Sequence, residues 1–65
     1  MKEVSKHFEN EIGNQIEIKV AEETIEDVAG ILVTITGPDS TIDMHVTRLE
    51  AEILFEQLNQ VLTHS

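Results

Sequence analysis

The chain has 65 residues, with thirteen Asp and Glu against four Lys and Arg, a formal net charge of −9 and no cysteine. Such a field repels nucleic acid and anionic lipid, and without cysteine there are no disulfides and no thiolate metal sites. Two phenylalanines are the whole aromatic content, too few for a platform on which bases stack.

Residues 1–14 place Val4, Phe8 and Ile12 at i, i+4 and i+8. That spacing suits a short helix stopped at Gly13-Asn14, or a loose arm docked through Phe8. Val4 and Phe8 stand isolated among charges, so no signal peptide is expected here. Gln15–Ala21 alternates, with Ile16, Ile18 and Val20 on one side and Glu17 and Lys19 on the other. This is the period of a strand with one buried face. Between 22 and 30, four carboxylates (Glu22, Glu23, Glu26 and Asp27) surround Ile25 and Val28. The stretch is long for a hairpin loop; it accommodates a helical turn ending at Gly30 or extensions of the flanking strands.

Ile31–Thr36 is rich in β-branched residues and forms a second strand, with Ile31, Val33 and Ile35 inward. Gly37-Pro38-Asp39-Ser40 has the composition of a turn. Thr41–Val46 alternates again, Ile42, Met44 and Val46 facing in and Asp43 and His45 facing out. Thr47–Leu62 is then an amphipathic helix. Thr47 and Glu50 have the spacing of a capping box. Ala51, Leu54, Phe55, Leu58, Val61 and Leu62 fall within an arc of roughly 120° at about 100° per residue. Leu49 and Ile53 lie nearly opposite, between Glu52 and Gln60.

These elements predict an α+β fold, a three-stranded antiparallel sheet packed on one C-terminal amphipathic helix. A single βββα domain would cover 15–65, preceded by the arm or short helix of 1–14. Nine aliphatic side chains of the strands would receive the six-residue stripe of the helix. The other sheet face would be mixed: Glu17, Lys19, Leu32, Thr34, Thr36, Asp43 and His45. A chain this small, without a disulfide or metal staple, is expected to gain stability by oligomerising, most simply as a homodimer. Leu49, Ile53 and Leu32 are the expected oligomer contacts. No segment has the length of a membrane-spanning helix, and the expected compartment is the cytoplasm.

Catalytic constellations are sparse. Asp43 and His45 share a strand face and could hold a metal weakly, but a surface His beside a surface Asp accounts for them. No nucleophile accompanies them. EETIEDVAG lacks the spaced pattern of a calcium loop, and one glycine before Pro38 makes no phosphate cradle. No metal or cofactor is expected, and catalysis least of all.

The expected function is therefore that of a small acidic, non-catalytic binding module, an inhibitor or regulator acting on a basic protein surface. Glu22, Glu23, Glu26, Asp27, Glu50, Glu52 and Glu56 would carry the contact, in one version of this reading as mimics of nucleic-acid phosphates. Acidity serving solubility alone explains the same composition. In size, charge and lack of cysteine the chain is similar to the small inhibitors that bacterial viruses direct against host defence proteins. That likeness implies an anti-defence role and carries no residues over. The alternative is a homo-oligomer with small-molecule pockets between subunits, where Arg48 and Lys19 would anchor an anion. Last comes a metal- or proton-dependent enzyme built on Asp43 and His45 in an oligomeric cleft.

Overall fold

The computed structural model describes residues 2–64. Four antiparallel strands in the order β1-β2-β3-β4 are followed by one helix: β1 Glu3–Glu9, β2 Gln15–Ile25, β3 Val28–Thr36, β4 Thr41–Thr47 and α1 Arg48–His64. The fold is α+β, an antiparallel sheet packed on a C-terminal helix, with one strand more than expected. Met1 and Ser65, the outer ends of the two expected ranges, lie outside the described residues.

The extra strand corrects the reading of the N-terminus as an arm or helix. Val4 and Phe8 are four apart, and that interval returns to the same side of a strand as readily as to one side of a helix. Pairing with β2 decides between them, setting Val4 opposite Val20, Lys6 opposite Ile18 and Phe8 opposite Ile16. Lys6 is what hides the alternation in the sequence. Gly13-Asn14 closes the connecting loop instead of a helix. The Asn10 side chain accepts from the N–H groups of Ile12 and Asn14 at 3.1 and 2.9 Å. Gly13 takes a φ of 88°, a left-handed conformation that suits glycine.

Between β2 and β3 the strands extend to meet in a two-residue turn, and no helical turn forms. Ile25 pairs with Val28, leaving Glu26 and Asp27 at the tip with φ of 51° and 65°. The β3–β4 turn is as expected, with the Gly37 N–H donating to the Ser40 carbonyl at 2.8 Å.

Register sorts the side chains onto two faces. One carries the row Val4, Val20, Val33 and Met44, flanked by Ile18, Ile35 and Ile42 on one side and by Ile31 and Val46 on the other. All nine aliphatics expected to point inward share this face. Across the sheet, Glu17 lies opposite Thr36, Lys19 opposite Thr34, Leu32 opposite His45 and Thr34 opposite Asp43, the mixed face foreseen from the alternation.

The helix does not cover the apolar face. It touches β3 and β4 and no other element among the described residues. Ala51 and Leu54 are half-buried, but Phe55, Leu58 and Val61 remain 73%, 53% and 67% exposed. On the sheet, Ile42 and Met44 are 62% and 40% exposed. The expectation that the six-residue stripe lies across the strands is thus corrected beyond its first turns. The cause is the junction: β4 ends at Thr47 and α1 begins at Arg48, whereas chain reversal between a strand and a helix commonly takes 2–6 residues. Thr47 and Glu50 lock that junction. The Glu50 carboxylate accepts from the Thr47 N–H at 2.8 Å, and the Thr47 hydroxyl accepts from the Glu50 N–H at 3.2 Å, a capping box as expected. The molecule is correspondingly extended, with a radius of gyration of 13.4 Å against about 10.7 Å for a compact domain of this length. Among the described residues no helix is long and apolar enough to cross a membrane.

Candidate functional site

The expected acidic contact residues fall largely at one end of the sheet. The paired strands β2 and β3 bring Glu22, Glu23, Glu26 and Asp27 to the tip of their hairpin. Gly30 of β3 pairs with Thr47 of β4, so the helix starts beside the base of that tip. A shallow depression there is lined by Glu22, Glu23, Thr24, Ala29, Gly30, Ile31 and Arg48. Glu56 lies one helical turn beyond Glu52 and projects away from this end.

Several of these acids already have local partners. Glu50 is held in the capping box. The Arg48 Nε lies 3.5 Å from a Glu52 carboxylate oxygen, one turn along the helix. Glu23 reaches across to His45 Nε2 at 3.7 Å, and the Glu22 carboxylate accepts from the Lys2 N–H at 3.4 Å. Glu26, Asp27 and Glu56 make no such contact among the described residues. Of the seven acids, these three are exposed to solvent without a side-chain partner among the described residues.

Turn chemistry makes the tip unusual. A two-residue hairpin turn with positive φ at both central positions is normally built from Asn-Gly, Asp-Gly or Gly-Gly. A side chain other than Gly, Asn or Asp in the left-handed region costs on the order of 1 kcal/mol. Glu26 therefore sits where the backbone disfavours it, and Asp27 where glycine is the better residue.

The remaining expected positions separate. Leu49 and Ile53 stay exposed on α1, on the same side of the helix as Glu52 and Glu56 at about 100° per residue. Leu32, assigned with them to an oligomer contact, stands on the mixed sheet face in register with Ala21 and His45. Lys19 is in register with Ser5 and Thr34 in mid-sheet, while Arg48 lies at the helix start among carboxylates. The two cations do not converge on one anion site. His45 and Asp43 are on one face, but the partner of His45 is Glu23, and His7 pairs with Glu17 at 2.9 Å. No group of three or more potential metal ligands occurs among the described residues.

Sequence reasoning missed the contribution of β1 to the apolar face. Val4 and Phe8 line a groove there with Ile18 and Val20, rimmed by Ser5 and Lys6. The signal was the even-numbered run Val4, Lys6, Phe8, broken for the eye by its charged middle member. In comparisons with known proteins, no family model, no curated protein and no solved structure matches the chain.

Proposed function

We propose that this chain is a small acidic binding module, not an enzyme, that docks as a homodimer onto a basic, nucleic-acid-handling protein. Its charged contact is the β2–β3 tip, Glu26 and Asp27 with Glu22 and Glu23 behind them. Leu49 and Ile53, beside Glu52 and Glu56, give the apolar part of the same contact. The observation that carries this reading is the tip itself, where two carboxylate residues occupy left-handed positions that favour Asn and Gly. Residues that break a local conformational rule cluster at functional sites, where the strain is retained because the side chain is needed. A solubility role would be met equally well by acids on relaxed strand or helix positions. Inhibition by phosphate mimicry, of the kind that viral anti-defence proteins use, follows if the partner's basic surface is its nucleic-acid site.

The test is retrieval of a basic partner by tagged chain, with elution by salt, repeated with E26K/D27K and with E26N/D27G. Reversal of two contact charges is expected to weaken binding about thirtyfold or more, mainly through the association rate. E26N/D27G removes both charges while giving the turn its favoured residues, so a loss with that variant cannot be ascribed to misfolding. Unchanged retrieval by both variants would overturn the assignment of the tip. A chain that retains a small molecule in native mass spectrometry and retrieves no protein would favour pockets between subunits instead.

A further inference from the structure

We infer that the apolar face of the sheet is the seat of helix α1 from a second copy of this chain. The exchange is reciprocal, so that each helix covers the other copy's strands. Three features of the fold carry this arrangement, and none depends on the acidic tip.

The first is the amount of surface left over. The chain exposes 5535 Å², whereas a compact monomer of its mass exposes about 4,200 Å². The surplus is roughly 1,400 Å² per chain and about 2,700 Å² per pair, in the range that obligate homodimers bury. A transient docking contact needs about half of that.

The second is what the two uncovered surfaces are made of. Both are apolar, and both come from the same chain: Phe55, Leu58 and Val61 on the helix, Ile18, Ile35 and Met44 on the sheet. Each is between 37% and 73% exposed. The acids of a chain with a net charge of −9 would otherwise keep two copies apart. Here most of them lie on the mixed face, at the tip and in the loops. Glu22, beside Ile31 near the tip, and Glu52, at the start of the helix beside Ile31 and Phe55, border the apolar face, so repulsion between copies is confined to its rim. A basic partner protein, by contrast, has no charge to match on this face.

The third is the junction. With no linker between β4 and α1 and a capping box fixing the exit direction, the helix meets only β3 and β4 of its own sheet and leaves its residues from Phe55 onward uncovered. The ten residues beyond Leu54 are roughly 15 Å long at 1.5 Å per residue. Four strands span about 14 Å between their outer axes. The projecting part of the helix therefore has the length needed to cross a neighbouring sheet.

Sedimentation velocity and native mass spectrometry of the full chain test this first, with a dimer expected at about 100 µM and below. L58E/V61E alters positions that are solvent-exposed in the single chain, so its circular dichroism should be retained. Its self-association should fall about a hundredfold or more, since four large aliphatics per dimer lose their burial. Isotope-filtered NOEs in a mixed labelled and unlabelled sample should connect the Phe55 ring or Leu58 methyls with methyls of Ile18, Ile35 or Met44 on the other copy. Raising salt from about 50 to 500 mM should tighten self-association by screening like charges, while weakening any tip-mediated contact with a basic partner. A wild-type monomer at that concentration would overturn the proposal. So would a dimer unaffected by L58E/V61E, or intermolecular NOEs confined to helix–helix or strand–strand pairs.

Discussion

On one face of the sheet, aliphatic rows run from β1 to β4, broken by Lys6 at the edge and by Glu22 and Thr24 near the tip. The other face holds charged and polar side chains around Leu32, with the pairs His7–Glu17 and His45–Glu23 crossing between strands. In the isolated chain both faces meet solvent, yet only the second is composed for it. An antiparallel sheet can stand with one side in water, so the mixed face needs no covering partner. The apolar face does need one, and its own helix reaches only the first turns of that task.

Adjacent residues of β3 give the largest test of this difference. Val33 lies in the middle of the apolar face, and Thr34 beside it points to the mixed face between Lys19 and Asp43. With a second copy seated on the face, V33D buries a carboxylate without a partner and should cost at least about 3 kcal/mol. A domain of this size has little stability beyond that. T34E meets one cation and one anion across the strands, whose effects offset, and should stay within about 0.5 kcal/mol. Urea denaturation of the two variants measures both. If V33D costs only about 1 kcal/mol, the apolar face is as open in solution as the mixed one, and the contrast between them collapses.

How much of this was legible follows from what each residue pattern encodes. Alternation in Gln15–Ala21, Ile31–Thr36 and Thr41–Val46 placed nine aliphatics on one face, because a period of two leaves no other choice once strands pair. The capping box was equally plain, since Thr47 and Glu50 need only each other. β1 was not legible, because Val4 and Phe8 satisfy helix and strand spacing alike and only pairing with β2 separates them. Nor was the course of the helix. Its stripe records that an apolar surface will be met, and says nothing of which copy supplies it. That depends on the direction in which a junction of zero residues sends the helix, which the abutting ranges 41–46 and 47–62 do not state. Acids were visible as a cluster and Glu50 as part of its capping box, but the partners of Glu22 and Glu23 arise from register and that of Glu52 from its i, i+4 spacing to Arg48.

A middle-sized effect sharpens the comparison from the mixed side. Gly30 is the one buried position among the described residues, and the His45 ring and Val46 backbone lie against it. A Cβ there would stand 2.9 Å from the Val46 carbonyl oxygen, 3.1 Å from His45 Cε1 and 3.3 Å from the Glu23 carbonyl oxygen. Backbone cannot yield as a side chain end can, so β3 and β4 must part locally at the point where α1 begins. G30A is expected to cost about 2 kcal/mol in thermal or urea unfolding. It should also disturb backbone chemical shifts at Thr47 and Glu50. A neutral G30A would mean that this end of the sheet is looser than its register implies, and with it the direction in which the helix leaves.

Lys6 provides the smallest test, and it is the most specific to the apolar face. Inward charges on edge strands are a common device against unwanted pairing, and Lys6 stands on β1 opposite Ile18, within the surface assigned to a second copy. K6I completes the row that Ile18, Ile35 and Ile42 begin. Two half-buried isoleucines per dimer should tighten self-association about tenfold, read by sedimentation equilibrium at fixed salt. The mixed-face counterpart S5I, at the neighbouring position of the same strand, adds a similar side chain where no copy is expected to sit. It should leave the association constant within about twofold. If S5I tightens association as much as K6I, any added apolar group promotes pairing and the faces are equivalent in that respect. A tenfold gap between neighbours whose side chains point to opposite sides can only be read as one face being covered and the other left to water.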